Sequence, residues 1–522
     1  MPDIFTGWIH LLPIILPLGG ALLVALFGKT AKGSHTGRNL GLFTAAFMFA
    51  SLISIISLYY QVMAAPDKFI DVFYWPPGAM PDPATLSALG SGLLHIDMLS
   101  VFMSVMFAFL GFLVVVYSIK YMEADSGLFL YYALLLTLVG GMIGVVYAGD
   151  FLTLFIFWET MSVSSYALVA FRRHEEEPLE AGIKYFLLSA VGSTLILFSA
   201  SILYGLTGTI NLAGIGHSLA ALPPDSPATQ GVVLLTIMGL IIGFGVKAAI
   251  APLATWLPDA HPAAPSGISA MLSGVVIMTG SYAIIRTCLL FFSPAVYMDY
   301  GYVLSWFALF TMVYGNLMAL TQKDLKRLLA FSTIVNVGYI VFGFSIAMMP
   351  NVSEAAAYYS LTGALFHMTT HMLAKGMLFL CAGIFLHAIH SRDLDQLRGI
   401  GRRMPVTMLC FTIGALSLIG VPPLVGFYSK FFIIWGSVVA GAYIAAAILV
   451  INSAFSVAYY LRIIQILVFA EPSPEAATAH EAPWSMRFSI IVLTLFIIGM
   501  GLFPHFFLTV ANVAAETALG LI

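Results

Sequence analysis

Residues 241–261, IIGFGVKAAIAPLATWLPDAH, set Lys247 deep in an apolar run, with Pro252 five residues further on. A proline there removes a backbone hydrogen bond and interrupts a helix, leaving free carbonyls beside an ammonium group. Residues 419–436, IGVPPLVGFYSKFFIIWG, hold the same parts in reverse order, Pro422 and Pro423 first and Lys430 after them. Reversed order is what an inverted-topology repeat gives, with broken helices meeting near the bilayer midplane around an ion site.

The rest of the chain supports a membrane reading. Of 522 residues, 61% are hydrophobic and only 9% charged, against about a quarter charged in soluble domains. So few charges cannot wet the exterior of a chain this long, so lipid must face most of it. Apolar runs of the length a spanning helix needs fall at 8–28, 38–62, 94–118, 128–148, 150–171, 181–206 and 230–254. A second set falls at 264–291, 299–320, 327–349, 358–387, 405–438, 440–468 and 485–510. The expected fold is an all-α integral membrane protein of about fourteen transmembrane helices. The long polar connections are 63–93 and 207–229, which leave no room for a soluble domain.

The start of the chain, with Asp3 and no basic stretch, does not read as a cleaved signal peptide. Basic residues gather in the loops after odd-numbered helices, including Lys29, Lys32, Lys120, Arg172, Lys326 and Arg392. The even loops offer only Lys68 and the helix-end Arg286. Odd loops are therefore expected to be cytoplasmic, with both termini on the outer side of the cell membrane.

A net charge of −3 gives no reason to expect a nucleic-acid partner. Cys288, Cys381 and Cys410 are scattered through apolar stretches with no metal or redox spacing. They read as buried small hydrophobes. No iron–sulfur, haem, flavin or metal site is apparent, so the expectation is no cofactor, with any redox chemistry left to partner subunits.

Glu159, Lys184, Lys247, Lys375, Lys430, His367 and His371 lie within the apolar segments. Such groups cost several kcal/mol at membrane depth and usually face a bundle interior, a partner charge or water. Lys184 stands at a helix start, four residues after Glu180, where snorkelling explains it as well as a role does. Glu159 sits mid-segment, where the plainer reading is an ion pair joining two helices. His367, His371 and Lys375 follow one another at i, i+4 spacing, which stacks them on one helix face at steps of about 6 Å. A single buried histidine is usually a packing residue; three titratable groups on one stripe favour a proton relay. Two histidines without a carboxylate or thiolate make a poor metal site. Ser332, Thr333 and Asn336 are explained at least as well by interhelical hydrogen bonds as by ordered water. The basic stretch 322–332 is explained by interfacial anchoring.

Six stretches resemble a known family: FWETMSVSSYALVAF, GIKYFLLSAVGSTLILFSASILYGLTGTINL, VKAAIAPLATWLPDAHPAAPSGISAMLSG, TQKDLKRLLAFSTIVNVGYI, HMTTHMLAKGMLFLCAGI and GVPPLVGFYSKFFI. They are similar, in the expected order from about residue 94 to 440, to the antiporter-like subunit superfamily. That superfamily includes subunits of respiratory complex I, of membrane-bound energy-converting hydrogenases and formate hydrogenlyases, and of Mrp-type sodium/proton antiporters. The resemblance implies two inverted five-helix repeats, each containing a broken helix. It divides the chain into N-terminal helices (1–125), a first half-channel (126–292), a second half-channel (293–470) and a C-terminal transmembrane helix (471–522). It also implies that Glu159 pairs with Lys247, that His367, His371 and Lys375 form a polar stripe, and that Lys430 is the titratable group of the second broken helix. One position departs: the family commonly has a lysine where this chain has Met278. Another subfamily has a histidine where Leu272 falls. A link between the two halves must then run through water, through Ser273 or Thr279, or be missing.

The function expected from these residues and the resemblance is translocation of protons or sodium ions by one subunit of a redox-driven, multisubunit membrane complex. Glu159 would hold Lys247 protonated, and loss of that counter-charge in a dry site would send the proton on toward His367, His371 and Lys375 and out by Lys430. The alternatives are an Mrp-type sodium/proton antiporter subunit, told apart by sodium dependence, and a non-conducting scaffold that keeps the fold.

Overall fold

The computed structural model describes residues 8–28, 36–65, 68–72, 93–221, 227–291 and 300–520. Asp3, Lys29, Lys32 and most of the connection 63–93 lie outside the described residues. The chain is helical almost throughout, because at membrane depth a helix satisfies its own backbone groups where no water can. In chain order the main elements begin with α1 (Leu12–Gly28), α2 (Thr36–Ala64), β1 (Phe69–Val72), β2 (Leu94–Asp97) and α3 (Met98–Tyr121). They continue with α4 (Leu128–Tyr147), α5 (Phe151–Val169), α6 (Glu176–Thr207), α7 (Leu212–Ala220), α8 (Pro227–Ala248) and α9 (Leu257–Ala263). The central helices are α10 (Ser266–Leu289), α11 (Tyr300–Leu320), α12 (Leu325–Ala347) and α13 (Glu354–Ile389). The chain closes with α14 (Pro405–Ile419), α15 (Val425–Val439), α16 (Tyr443–Phe469), α17 (Trp484–Leu502) and α18 (Pro504–Leu519).

Among the described residues twelve helices, counting α8 and α9 as one interrupted span, are long and apolar enough to cross a membrane. Helices α1, α14 and α15 are shorter. The protein is a multi-pass membrane protein. Large apolar side chains such as Leu187 and Val191 of α6, Trp306 and Phe310 of α11, and Ile444 and Ile451 of α16 point outward, where lipid replaces water. Helices α10 and α12 are enclosed along their length and carry Ser273, Ser332, Thr333 and Asn336 into the interior.

The structure adds detail to three stretches read from sequence. The connection 207–229 is not wholly irregular, for it contains α7, whose first turn is capped by Asn211 accepting from the Gly214 N–H at 3.0 Å. The run 405–438 is two half-helices, α14 and α15, because Gly420 takes a left-handed φ of 95° and the two prolines follow. The run 485–510 is split at Phe503, and α18 begins at Pro504, whose missing N–H suits a first turn.

Both proline-bearing runs are interrupted in a similar manner. Helix α8 stops at Ala248, Ala249 has a left-handed φ of 58°, and the chain resumes through the turn Leu253–Trp256 into α9. The Trp256 indole donates to the Val246 carbonyl at 2.8 Å, and the Ala251 N–H to Thr311 Oγ1 at 3.0 Å, so the interruption is largely satisfied.

At one end of the bundle, the β1–β2 hairpin is tied to the helices by a buried cluster that sequence did not reveal. Arg286, which reads as a helix-end base, is buried, and its Nη1 lies 2.5 Å from Asp97 Oδ2. Asp97 also caps α3 by accepting from the Ser100 N–H at 2.9 Å, while His95 bridges to Asp71 at 2.7 Å. Burial alone would raise the Asp97 carboxyl; Arg286, His95 and the Ser100 N–H outweigh it and hold it down to about 2 from an ordinary 3.8. A depressed carboxylate contributes stability that is present above its unfolded value and lost as pH falls through about 2. This contribution is therefore intact at neutral pH. Asp97→Ala strands the Arg286 guanidinium, and is expected to cost about 3–5 kcal/mol. Thermal unfolding of the detergent-solubilised protein at neutral pH checks this; an unchanged midpoint would refute it.

Candidate functional site

In the first half, the buried Lys247 is placed by the last turn of α8. Its Nζ donates to the Tyr185 hydroxyl at 3.0 Å and approaches Ser165 Oγ at 3.5 Å. The same ammonium stands 4.5 Å from the centre of the Tyr185 ring. Tyr185 is pinned from behind by Trp256, stacked at 3.9 Å with 6° between planes. The turn that interrupts the helix thus supports the ring that receives the lysine. Glu159, half-buried on α5, accepts from Ser193 of α6. The expected direct pair between Glu159 and Lys247 is not formed, since among the described residues no carboxylate oxygen comes within ion-pair distance of the Lys247 Nζ. Hydroxyl and ring-face contacts take that place.

The second half is a hydrogen-bonded string built by five helices. Lys375 Nζ donates to the Leu329 carbonyl at 2.8 Å and to the Tyr460 hydroxyl at 3.3 Å. Tyr460 meets Ser332 Oγ at 2.7 Å, and Ser332 presents its carbonyl to Asn336 Nδ2 at 2.7 Å. With the amide nitrogen so engaged, Asn336 Oδ1 faces His367 Nε2 at 3.1 Å, which assigns the proton to Nε2. His367 Nδ1 then accepts from the Ser429 hydroxyl at 2.8 Å. Beside Ser429, the Lys430 ammonium closes the C-terminus of α14, donating to Leu418 O at 2.7 Å and Ile419 O at 3.3 Å. It also meets Ser453 Oγ at 3.0 Å and lies 4.6 Å from the centre of the Tyr339 ring. Lys247 and Lys430 each share this motif, a buried ammonium over a tyrosine face at a helix interruption.

Between the halves stands α10, where a π-helical turn at Leu272–Val276, a common device at functional sites, brings the Ser273 carbonyl within 3.1 Å of His371 Nε2. A carbonyl only accepts, so Nε2 carries the hydrogen and Nδ1 is a free lone pair, without a partner among the described residues. Ser273 Oγ meets Thr333 Oγ1 at 2.6 Å. Ser273 therefore bonds across to α12, whereas the Thr279 hydroxyl is spent on the Val275 carbonyl of its own helix. Met278 is buried and apolar, and no direct hydrogen bond among the described residues carries the Lys247 group across to His371.

Lys184 takes no part in this interior arrangement. It is about half exposed and pairs with Glu180 at 2.7 Å and Asp259 at 3.1 Å. Lys326 corrects the anchoring reading of 322–332: it is buried, and its Nζ donates to the Ala264 carbonyl at 2.6 Å rather than reaching water. Tyr185, Tyr339, Tyr460, Ser165, Ser429 and His261 were not singled out from sequence. Only His261, beside a proline in an apolar run, carried a usable signal. Among the described residues no cluster of three His, Cys, Asp or Glu side chains is arranged to hold a metal ion.

The same arrangement of helices and sequence recurs in known proteins. Residues 148–456 match the family described as NADH:quinone oxidoreductase/Mrp antiporter, TM, and residues 93–132 match the complex I chain 5 N-terminus. The chain is 31% identical over 530 aligned positions to NADH-quinone oxidoreductase subunit N of Desulforudis audaxviator, covering 95% of this chain and 96% of that one. It is 32% identical over 434 to F(420)H(2) dehydrogenase subunit N of Methanosarcina mazei, covering 81% and 85%. A chain of the membrane-bound sulfane sulfur reductase, an archaeal respiratory membrane complex, superposes with a TM-score of 0.86 at 28% identity, covering 98% of each chain.

Proposed function

This chain belongs to the NADH:quinone oxidoreductase/Mrp antiporter family of membrane proteins, and from that premise we propose that it passes protons along the buried line of lysines and histidines. Its relatives over nearly the whole length are subunits of multisubunit membrane complexes, and the chain is an antiporter-like subunit of such a redox complex. The observation that carries the proton reading is the string from Lys375 through Tyr460, Ser332, Asn336 and His367 to Ser429 and Lys430. Side-chain groups are in hydrogen-bond contact from Lys375 to Ser332 and from Asn336 to Ser429, and the Ser332 carbonyl joins the two runs. The Lys430 ammonium, on the residue after Ser429, rests on Leu418 O, Ile419 O and Ser453 Oγ; among the described residues none of these groups is paired to a carboxylate.

In this reading Glu159, Lys247, His371, His367, Lys375 and Lys430 form the route. Lys184 helps only from the surface, by fixing Asp259. Helices α14 and α15 count as one interrupted crossing and α1 as another, giving about fourteen. The two lysine-over-tyrosine interruptions support a reading as inverted halves at 126–292 and 293–470, flanked by 1–125 and 471–522. The basic loops face the cytoplasm and both termini the outer side of the cell membrane. The break at Met278 favours a second reading, a scaffold that keeps the fold without conducting.

One experiment separates the two. Vesicles holding the parent complex are energised by its redox reaction, and proton- and sodium-sensitive dyes are read together for the native chain and Lys375→Met. Loss of a relay group is expected to cut uptake about tenfold, below the roughly hundredfold minimum usual for a positioned proton carrier, since neighbouring hydroxyls offer a partial bypass. The dye that responds names the ion. Unchanged uptake of both, with assembly confirmed on a native gel, would leave the scaffold reading.

A further inference from the structure

Behind the first helix interruption, between α8, the turn that follows it and α11, lies a cavity of about 210 Å³. Every residue lining it is apolar, and no polar atom faces into it. Its floor includes Ile241, Ile250 and Leu304, all buried, while its mouth is framed by Ile242, Val303 and Phe307, which are between 41% and 43% exposed. Ala251, Pro252 and Leu253 line it too, so the cavity wall on that side is the interruption itself.

Such a space is out of keeping with close-packed protein interiors, because each wall forfeits dispersion contacts. The walls are not free to close on it. The Ala251 N–H is fixed to Thr311 Oγ1 of α11 at 3.0 Å, and the Trp256 indole to the Val246 carbonyl at 2.8 Å. Water does not repay the loss, since it would find no hydrogen-bond partner; apolar cavities of this kind stay dry and accept apolar guests. A lining without charge excludes an ion or a lipid headgroup on the same ground. The surroundings of the mouth decide between the guests that remain. Val303, Trp306, Phe307 and Phe310 follow i, i+3, i+4, i+7 spacing, which puts them on one face of α11. With Leu235 and Ile242 of α8 they make the mouth continuous with the outward apolar surface that meets lipid. The lining on the interrupted span begins at Met238, about two turns in from Gly231 where that span starts. Hydrocarbon, not headgroup, therefore stands at the mouth.

We propose that this cavity is a lipid site, filled by the acyl chain of a membrane phospholipid that enters between Ile242 and Val303. The chain lies against the turn at 249–253 and completes its packing from the lipid side, where the protein supplies no side chain of its own. The opposite end of that turn carries Trp256, which stacks on Tyr185 and so backs the Lys247 ammonium. The guest is thus a brace for the first interruption. The site rests on shape and packing, and it stands whether or not Lys247 carries protons.

The test places the assembled complex in phosphatidylcholine vesicles containing a phosphatidylcholine with a photoactivatable diazirine midway along one acyl chain. After illumination, adducts are mapped by peptide mass spectrometry. Adducts are expected on the buried floor residues Ile241, Ile250 and Leu304 as well as on the outward residues Leu187 and Val191 of α6. In Val303→Trp, whose indole closes the mouth, the floor adducts are expected to be lost while those on α6 persist. Ile242→Trp closes the same mouth from α8 and takes its place should Val303→Trp not assemble on a native gel. A native chain labelled on its surface but not on the floor would overturn the site, whether the cavity is empty or a neighbouring subunit covers it. Floor adducts that survive the closed mouth would overturn it as well, since the probe would then arrive by another path. Floor labelling by an isoprenoid-chain diazirine but not by the phospholipid would overturn the choice of guest.

Discussion

Replacing Lys247 by alanine is expected to lower redox-driven ion uptake by about a hundredfold while the complex still assembles. The effect should exceed that at Lys375 because of what surrounds each lysine. Near Lys375 the Tyr460 hydroxyl is in contact and leads on to Ser332, an alternative carrier along the same string. Near Lys247 only the Tyr185 hydroxyl and Ser165 are in contact, and Glu159 is turned to Ser193. Assembly should survive, since Lys247 makes no ion pair whose loss would strand a buried charge, and Tyr185 keeps its Ser165 hydrogen bond. Dye-monitored uptake with a native gel is the measurement. Uptake within twofold of native would mean that protons enter the second half without using the first.

Gly426→Ala is expected to prevent stable assembly, a loss of about 3 kcal/mol or more, at the upper end for overpacking. Gly426 opens α15, and a Cβ there would overlap the Ser417 carbonyl oxygen in the last turn of α14. The obstruction is backbone, and the same turn is held by Lys430 through Leu418 and Ile419, so it has nowhere to go. Gly499 of α17 provides the contrast, because nothing lies within 4 Å of an added Cβ. Gly499→Ala should leave thermal stability equal or slightly higher, as expected where alanine replaces glycine in a helix. Equal thermal midpoints and equal gel yields for the two variants would contradict this account of the half-helix crossing.

Much of the fold is legible because apolar run length and proline position act locally. The spans α2 to α6 and α10 to α13 follow from uninterrupted apolar runs, and Pro252 and Pro422 mark the interruptions. The face shared by His367, His371 and Lys375 is fixed by i, i+4 spacing alone. What sequence does not reveal is which aromatic lies under which ammonium. Tyr185 reads as one more amphipathic ring in an apolar helix, and only the packing of α6 against α8 and of Trp256 behind it makes it a partner. Lys326 misleads for a related reason. Its neighbours Asp324 and Arg327 are surface charges, yet α12 is enclosed, so the side chain that faces inward is buried. His261 is marked in sequence by its apolar run and the proline beside it, but that neither ring nitrogen finds a partner among the described residues is a property of the packing.

The lysine-over-tyrosine arrangement has an electrical consequence. A phenol ring holds an ammonium through its quadrupole and is neutral whether or not the cation is there. When the proton departs, nothing charged is stranded, whereas a carboxylate partner would remain as a bare anion in a poor dielectric. On the proposed route each site would therefore toggle between one unit of charge and none. The work that a membrane voltage does on such a toggle is bounded by a single elementary charge crossing the full potential, about 2.3 kcal/mol per 100 mV. On the proposed route, Lys247 and Lys430 would each present the voltage with no more than that single charge.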